Sequence, residues 1–159
     1  MKAAILSADT EIYQGIKEDK CTPIVKRILE QVGFRVEMDK AIPRDYEVVK
    51  AIAARVVEED ISDIIITIGG IGCHQDDCVP EATKAILDRE VPGIAEAMRG
   101  YMIRTSKRAM LTRGMAGIRK NALILNLPDS PKVIKELLDY TLPEIVHLIE
   151  ILLGQHDNE

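Results

Sequence analysis

The first seventy residues alternate between short extended-type runs and helix-type runs, and that order restricts the fold more than any other property of the chain. "KAAILS" opens as a strand, and a polar stretch of ten residues follows it. Asp19 with Pro23 marks the start of a helix that buries Ile24, Ile28, Leu29 and Val32, and Gly33 closes it. "FRVEMD" alternates as a strand does, Asp45 opens a second helix with a stripe of Val48, Val49, Ile52, Val56 and Val57, and "DIIITI" is a third strand. Strand–helix–strand–helix–strand predicts right-handed crossovers and a parallel sheet, with any ligand beyond the carboxyl ends of the strands.

Helices are expected from about Pro80 and Pro92, strands near "RAMLTR" and "NALILNL", and a C-terminal helical region from Ser130 that restarts at Pro143. The fold class is therefore α/β, a three-layer sandwich around a mostly parallel sheet. A chain of 159 residues, 47% apolar, is expected to form a single domain over 1–159 with its own core. No apolar run reaches the length of a membrane span or of a secretion signal. Three cysteines, an odd number at low density, suit a reducing compartment. A cytoplasmic protein is the expectation.

The formal charge of −5 argues against a general nucleic-acid binder, but the charge is unevenly spread. Seven cations, Arg99, Arg104, Lys107, Arg108, Arg113, Arg119 and Lys120, lie in a stretch with no acid, which leaves about −12 for the rest. Such segregation suits either an anionic ligand on one face or a solvated surface. Tyr101 is the only aromatic in that stretch, so stacking platforms for RNA are missing.

"TIGGIGCHQDDCVPEAT", residues 67–83, falls where the third strand ends. Gly69, Gly70 and Gly72 allow successive N–H groups to converge on a phosphate, and a helix N-terminus follows. A plain turn has the same glycines, and the spacing is neither the dinucleotide fingerprint nor the nucleoside-triphosphate loop. Asp76 and Asp77 suit Mg²⁺ shared with phosphate oxygens, or the capping of the helix, whose N-cap is expected at Val79. Cys73, Cys78, His74 and Cys21 are the residues from which a soft-metal site would be built, against the commoner reading of small buried thiols. His147 sits on an apolar helix as a core or interface histidine, and the stripe from Ile145 to Leu153 is wide enough to include a subunit contact.

"GGIGCHQDDCVPEATKAILDREVPGIAEAMR" followed by "LTRGMAGIRKNALILNLPDSPK" resembles the molybdopterin adenylyltransferase family, over nearly the whole chain. The resemblance implies a molybdopterin-binding-type α/β domain, commonly a homotrimer or homohexamer. It implies that molybdopterin and Mg-ATP bind and that an adenylyl group passes to the pterin's terminal phosphate, in molybdenum or tungsten cofactor assembly. It places Gly69, Gly70 and Gly72 on the family's glycines and Asp77 on its functional aspartate, as catalytic residue and metal ligand beside Asp76. Asp45 is the substitute for a second catalytic aspartate, whose own place is taken by Arg44. Gly15, Asp19, Glu81, Thr83, Arg113, Ser130 and Pro131 match ligand-side positions. The departures gather in the site: Ile68 and Ile71 replace threonines, Val79 another threonine, Asp76 an arginine and Asp129 a glycine. A paralogue that binds pterin or nucleotide without transfer is the alternative these imply.

Overall fold

A computed structural model of the protein describes residues 1–155. Six strands, β1 (Lys2–Ala8), β2 (Arg35–Ile42), β3 (Ile64–Ile68), β4 (Arg89–Glu90), β5 (Ala116–Arg119) and β6 (Ala122–Leu127), form one sheet in the order β2-β1-β3-β6-β5-β4. β2, β1, β3 and β6 are parallel; β5 and β4 extend the sheet antiparallel.

The period of two along the central strands sorts their side chains into two cores. Ala3, Ile5, Ile64, Ile66, Ile68, Leu123, Leu125 and Leu127 face one side, where they meet α2 (Thr22–Gln31), α5 (Pro92–Ile103) and α6 (Pro131–Leu152). Ala4, Leu6, Ile65 and Ile124 face the other, against α3 (Tyr46–Glu58) and α4 (Val79–Ile86). Both faces are covered, which explains why β3 is buried at every position.

Four local readings change. "RAMLTR" is not a strand: a 3-10 helix runs over Lys107–Leu111, and Met110 and Leu111 stay exposed. The strand is "AGIR", whose Gly117 is required because a Cβ there would lie 2.7 Å from the Arg89 carbonyl oxygen. α6 does not restart at Pro143 but passes through it. Leu138, Leu142, Ile145 and Ile149 of that helix are buried, and their packing outweighs the cost of about 3 kcal/mol for an interior proline. In α2 the buried face uses Val25 where Val32 was expected, and Val32 is exposed. The polar stretch after β1 contains a short helix, α1 (Thr10–Tyr13). His156 lies outside the described residues.

The order β2-β1-β3 makes the β1/β3 boundary a topological switch point, where crossovers leave in opposite directions and a crevice opens. The carboxyl ends of β1, β3 and β6 deliver Asp9, Gly69 and the Pro128–Asp129 turn to that edge.

Candidate active site

A cleft of about 340 Å³ opens at this switch point, lined by Ser7, Asp9, Ile12, Lys17, Cys21, Arg44, Gly69, Asp129 and Pro131 among others. A second hollow shares Asp9, Lys17, Arg44 and Asp129 with it and reaches Asp76.

The glycine loop forms one wall. Gly69 and Gly70 have φ of +86° and +72°, in the left-handed region where only glycine is unstrained. A Cβ on Gly69 would lie 3.1 Å from an Arg44 η nitrogen, and one on Gly70 would lie 2.5 Å from the Val79 side chain. The loop backbone is thereby pressed against both the cleft's arginine and the start of α4. Gly72 is small for another reason: its Cβ would stand 2.7 Å from Asp77 Oδ2.

Asp77 is buried and folds back into the loop, where Oδ2 accepts the His74 N–H at 2.9 Å. Its Oδ1 faces Arg44 at 3.5 Å. Arg44 is the hub of the cleft. Its Nε donates to the Ala8 carbonyl at 2.8 Å, and its η nitrogens lie 3.5 to 4.0 Å from Asp77, Asp76 and Asp9. Asp9 caps α1 through the N–H groups of Glu11 and Ile12 and takes Lys17 Nζ at 3.0 Å. Burial pushes the Asp9 carboxyl up, but the Ile12 N–H, Lys17 and Arg44 together outweigh it and hold it below its ordinary value. The same pairing raises Lys17.

The far side of the loop is built differently. Arg113 donates from Nε to the Gly72 carbonyl and from one η nitrogen to the Asp77 carbonyl, both at 2.7 Å. The other η nitrogen holds both oxygens of Glu81, which lowers the Glu81 carboxyl. Beneath it, buried Asn126 donates to Thr67 and Thr83 hydroxyls at 2.8 and 3.0 Å and accepts the Met115 N–H. Arg113, Glu81 and Thr83 thus shape the loop from behind and do not line the cleft.

Asp19 lines the cleft and spends its oxygens on the Cys21 and Thr22 N–H groups and the Thr22 hydroxyl. Pro131 lines the cleft at the start of α6, while Ser130 is the N-cap residue without a side-chain bond. Gly15 sits at φ +78° in the turn after α1, and Asp45 caps α3 through the Val48 N–H; neither lines the cleft. Cys78, one residue earlier than expected, is the N-cap of α4.

The basic stretch does not face this cleft. Arg99 donates to the Gly114 carbonyl, Arg119 and Lys120 pair with Glu58, and Arg104 lies over the Tyr101 ring. Lys17, Lys20 and Arg44 supply the cleft's cations instead. Asp9 and Lys17 went unread in the sequence; the signal for Asp9 is an acid directly after the first strand, followed by a threonine. Cys21 is buried in the cleft wall, and burial first, then Asp19 and Asp129, push its thiol up to about 11. Cys73 is exposed and contacts the Leu111 carbonyl, and among the described residues no group of three or more His, Cys, Asp or Glu is placed to hold a metal. The cysteines and His74 do not gather into a soft-metal site.

Asp77 and Asp76 fit a resident Mg²⁺ poorly. Asp77 has one oxygen bound inside the loop and the other turned to Arg44, and Asp76 is 69% exposed and faces the same guanidinium. Unit charges 4 Å apart repel by about 4 kcal/mol at a surface-like effective dielectric, and a dication beside Arg44 would meet about twice that.

An α/β domain with a glycine loop and a charged crevice at its switch point belongs to the doubly wound class, whose ligand crevices lie beyond the carboxyl ends of the strands. The family model described as "probable molybdopterin binding domain" matches residues 4–147, and the chain belongs to this molybdenum cofactor biosynthesis family. The chain is 30% identical over 157 residues to the molybdopterin adenylyltransferase of Helicobacter pylori strain J99, covering 96% of this chain and 88% of that one. It is 35% identical over 142 residues to the Haemophilus influenzae enzyme of the same name, covering 87% and 72%. Among solved structures, the molybdopterin biosynthesis enzyme MoaB of Thermus thermophilus superposes with a TM-score of 0.88 at 35% identity, covering 96% of each chain.

Proposed function

We propose that this chain is a molybdopterin adenylyltransferase of molybdenum or tungsten cofactor biosynthesis, using ATP and releasing pyrophosphate. The observation that carries the reading is the chain-long likeness to enzymes of that name together with a glycine loop, Gly69, Gly70 and Gly72, pressed against a cleft at the switch point. In this reaction a phosphate oxygen of the pterin bonds to the α-phosphorus of ATP while the bond from that phosphorus to the bridging oxygen of pyrophosphate breaks. Little covalent help is needed from the protein; alignment of the two phosphates and neutralisation of charge lower the barrier. In this reading the cleft binds phosphate with Lys17 and Arg44, while Asp19 and Pro131 form its wall. Mg²⁺ arrives as part of the nucleotide substrate. Asp77 supports the loop that meets the phosphates, and Asp45 acts through the placement of α3.

The protein works in the cytoplasm in this reading; among the described residues no helix is long and apolar enough to cross a membrane. The groove of about 610 Å³ between α5 and α6, lined by Ile94, Tyr140, His147, Leu148 and Ile151, is the expected subunit contact of a homotrimer or homohexamer. One observation favours a binding paralogue without transfer: Asp129 lies on the cleft wall, where a carboxylate repels a phosphate. Pyrophosphate release from ATP, measured with and without molybdopterin, separates the two. Release that depends on the pterin supports the transferase; binding of both ligands without release supports the paralogue.

A further inference from the structure

Two arginines flank the glycine loop, and one of them is only partly used. Among the described residues, the Arg44 guanidinium donates one hydrogen bond, from Nε to the Ala8 carbonyl. Its η nitrogens make ion pairs at 3.5 Å to Asp77, 3.8 Å to Asp76 and 4.0 Å to Asp9, too long for hydrogen bonds. The side chain is 18% exposed and lines both hollows of the cleft, and Gly69 lacks the Cβ that would crowd it. A planar fork of donors, fixed at one end and open at the other, is the arrangement that receives a phosphate in two parallel bonds.

We propose that Arg44 is the resident cation of this site: it supplies the positive charge shared by Asp77, Asp76 and Asp9, and it presents its η N–H groups to a phosphate of the ligand. The proposal rests on the reading of the cleft as a phosphate site, but its two halves are tested separately. A guanidinium carries its charge permanently and needs no metal supply. Loss of Arg44 leaves Asp77, Asp76 and Asp9 without the cation they share, and Arg44→Asp adds a fourth carboxylate beside them.

The first test is a titration with Mn²⁺ alone, followed by electron paramagnetic resonance of the free ion, on wild type, Arg44→Gln, Arg44→Asp and the double variant Arg44→Asp/Asp77→Asn. Melting temperatures establish that each is folded, and Arg44→Lys, which keeps a cation, guards against a variant that is not. Wild type and Arg44→Lys are expected to bind Mn²⁺ weakly, Arg44→Asp at least tenfold more tightly, and the double variant to lose that gain. The proposal is overturned if wild type binds as tightly as Arg44→Asp, or if removing Arg44 creates no site. The second test is calorimetry with inorganic pyrophosphate in the presence of EDTA. Wild type is expected to bind and Arg44→Gln to bind at least tenfold more weakly; binding by wild type only after Mg²⁺ is added contradicts the proposal. Failure of these tests leaves adenylyl transfer standing, whereas success with no transfer would sink the enzymatic reading alone.

Discussion

Arg44 and Arg113 stand on opposite sides of one glycine loop, and the difference between them separates what binds from what holds. Arg113 spends its donors on the Gly72 and Asp77 carbonyls and on both oxygens of Glu81. Arg44 spends one, on Ala8, and keeps the rest within ion-pair distance of three carboxylates at the cleft. Saturated geometry marks a clasp, and unsaturated geometry in a cleft marks a ligand site. Asn126 belongs to the clasp side, since its side chain ties Thr67, Thr83 and the Met115 N–H together in the buried layer under the loop.

The comparison breaks most visibly through Asn126. Asn126→Leu strands two hydroxyls and one N–H in the interior, so unfolding in urea should show a loss of about 3 kcal/mol or more. A loss under about 1 kcal/mol would mean that the layer is not a structural unit. Next comes Gly70→Ala, expected to cost about 2 to 4 kcal/mol because a positive φ and the Val79 side chain both oppose it. Gly15→Ala shares the positive φ but meets nothing within 4 Å, so about 1 to 2 kcal/mol is expected, and equal costs would refute the close approach at Gly70.

The two arginines come third. Arg113→Ala should cost about 2 kcal/mol through two lost charge-assisted bonds to carbonyls, discounted for its partial exposure. Arg44→Gln loses one hydrogen bond to the frame and the cation shared by Asp77, Asp9 and Asp76, so about 1 to 2 kcal/mol is expected, and the larger effect should fall on ligand binding. Ligand binding weakened by Arg113→Ala but not by Arg44→Gln would contradict the division of roles.

A smaller effect is set by pH. The folded Asp9 carboxyl lies below its unfolded value, so its contribution is present above about pH 4 and is lost as pH falls through the folded value. Asp9→Asn should therefore be less stable than wild type at neutral pH, and the gap should close in acid. Lys17 runs the other way: its raised value gives stability that is present below about pH 10 and lost above it. The smallest effect concerns thiols. At pH 8 iodoacetamide should label exposed Cys73 and leave Cys21 untouched, since Cys21 is buried and its thiol is pushed up to about 11.

Much of this architecture is legible in the sequence because burial on both faces leaves β3 and β6 as apolar runs interrupted only by Thr67 and Asn126, and because prolines open α2, α4, α5 and α6 near their first turns. β5 is hidden because its defining residue is Gly117, chosen for the close passage of β4 and not for strand propensity. "RAMLTR" misleads because its short apolar run, Ala109 to Leu111, between polar residues has the look of a strand, whereas it lies in a 3-10 helix. The glycine loop is legible from its position after a strand. The cleft's charges are not, because the local pair Asp9 and Lys17, Arg44 and Asp129 come from three separate segments that meet only through the fold of the sheet. The basic stretch that draws the eye is largely consumed by internal pairing, so local charge density is a poor guide to where an anion binds here.

The most direct test of the account is transfer of labelled adenylyl from ATP to molybdopterin by wild type and Arg44→Gln, with the melting temperature of each recorded alongside. The account predicts adenylylated pterin from wild type, at least tenfold less from Arg44→Gln, and a cooperative melting transition in both. No product from wild type, or the same yield from both proteins, would contradict it.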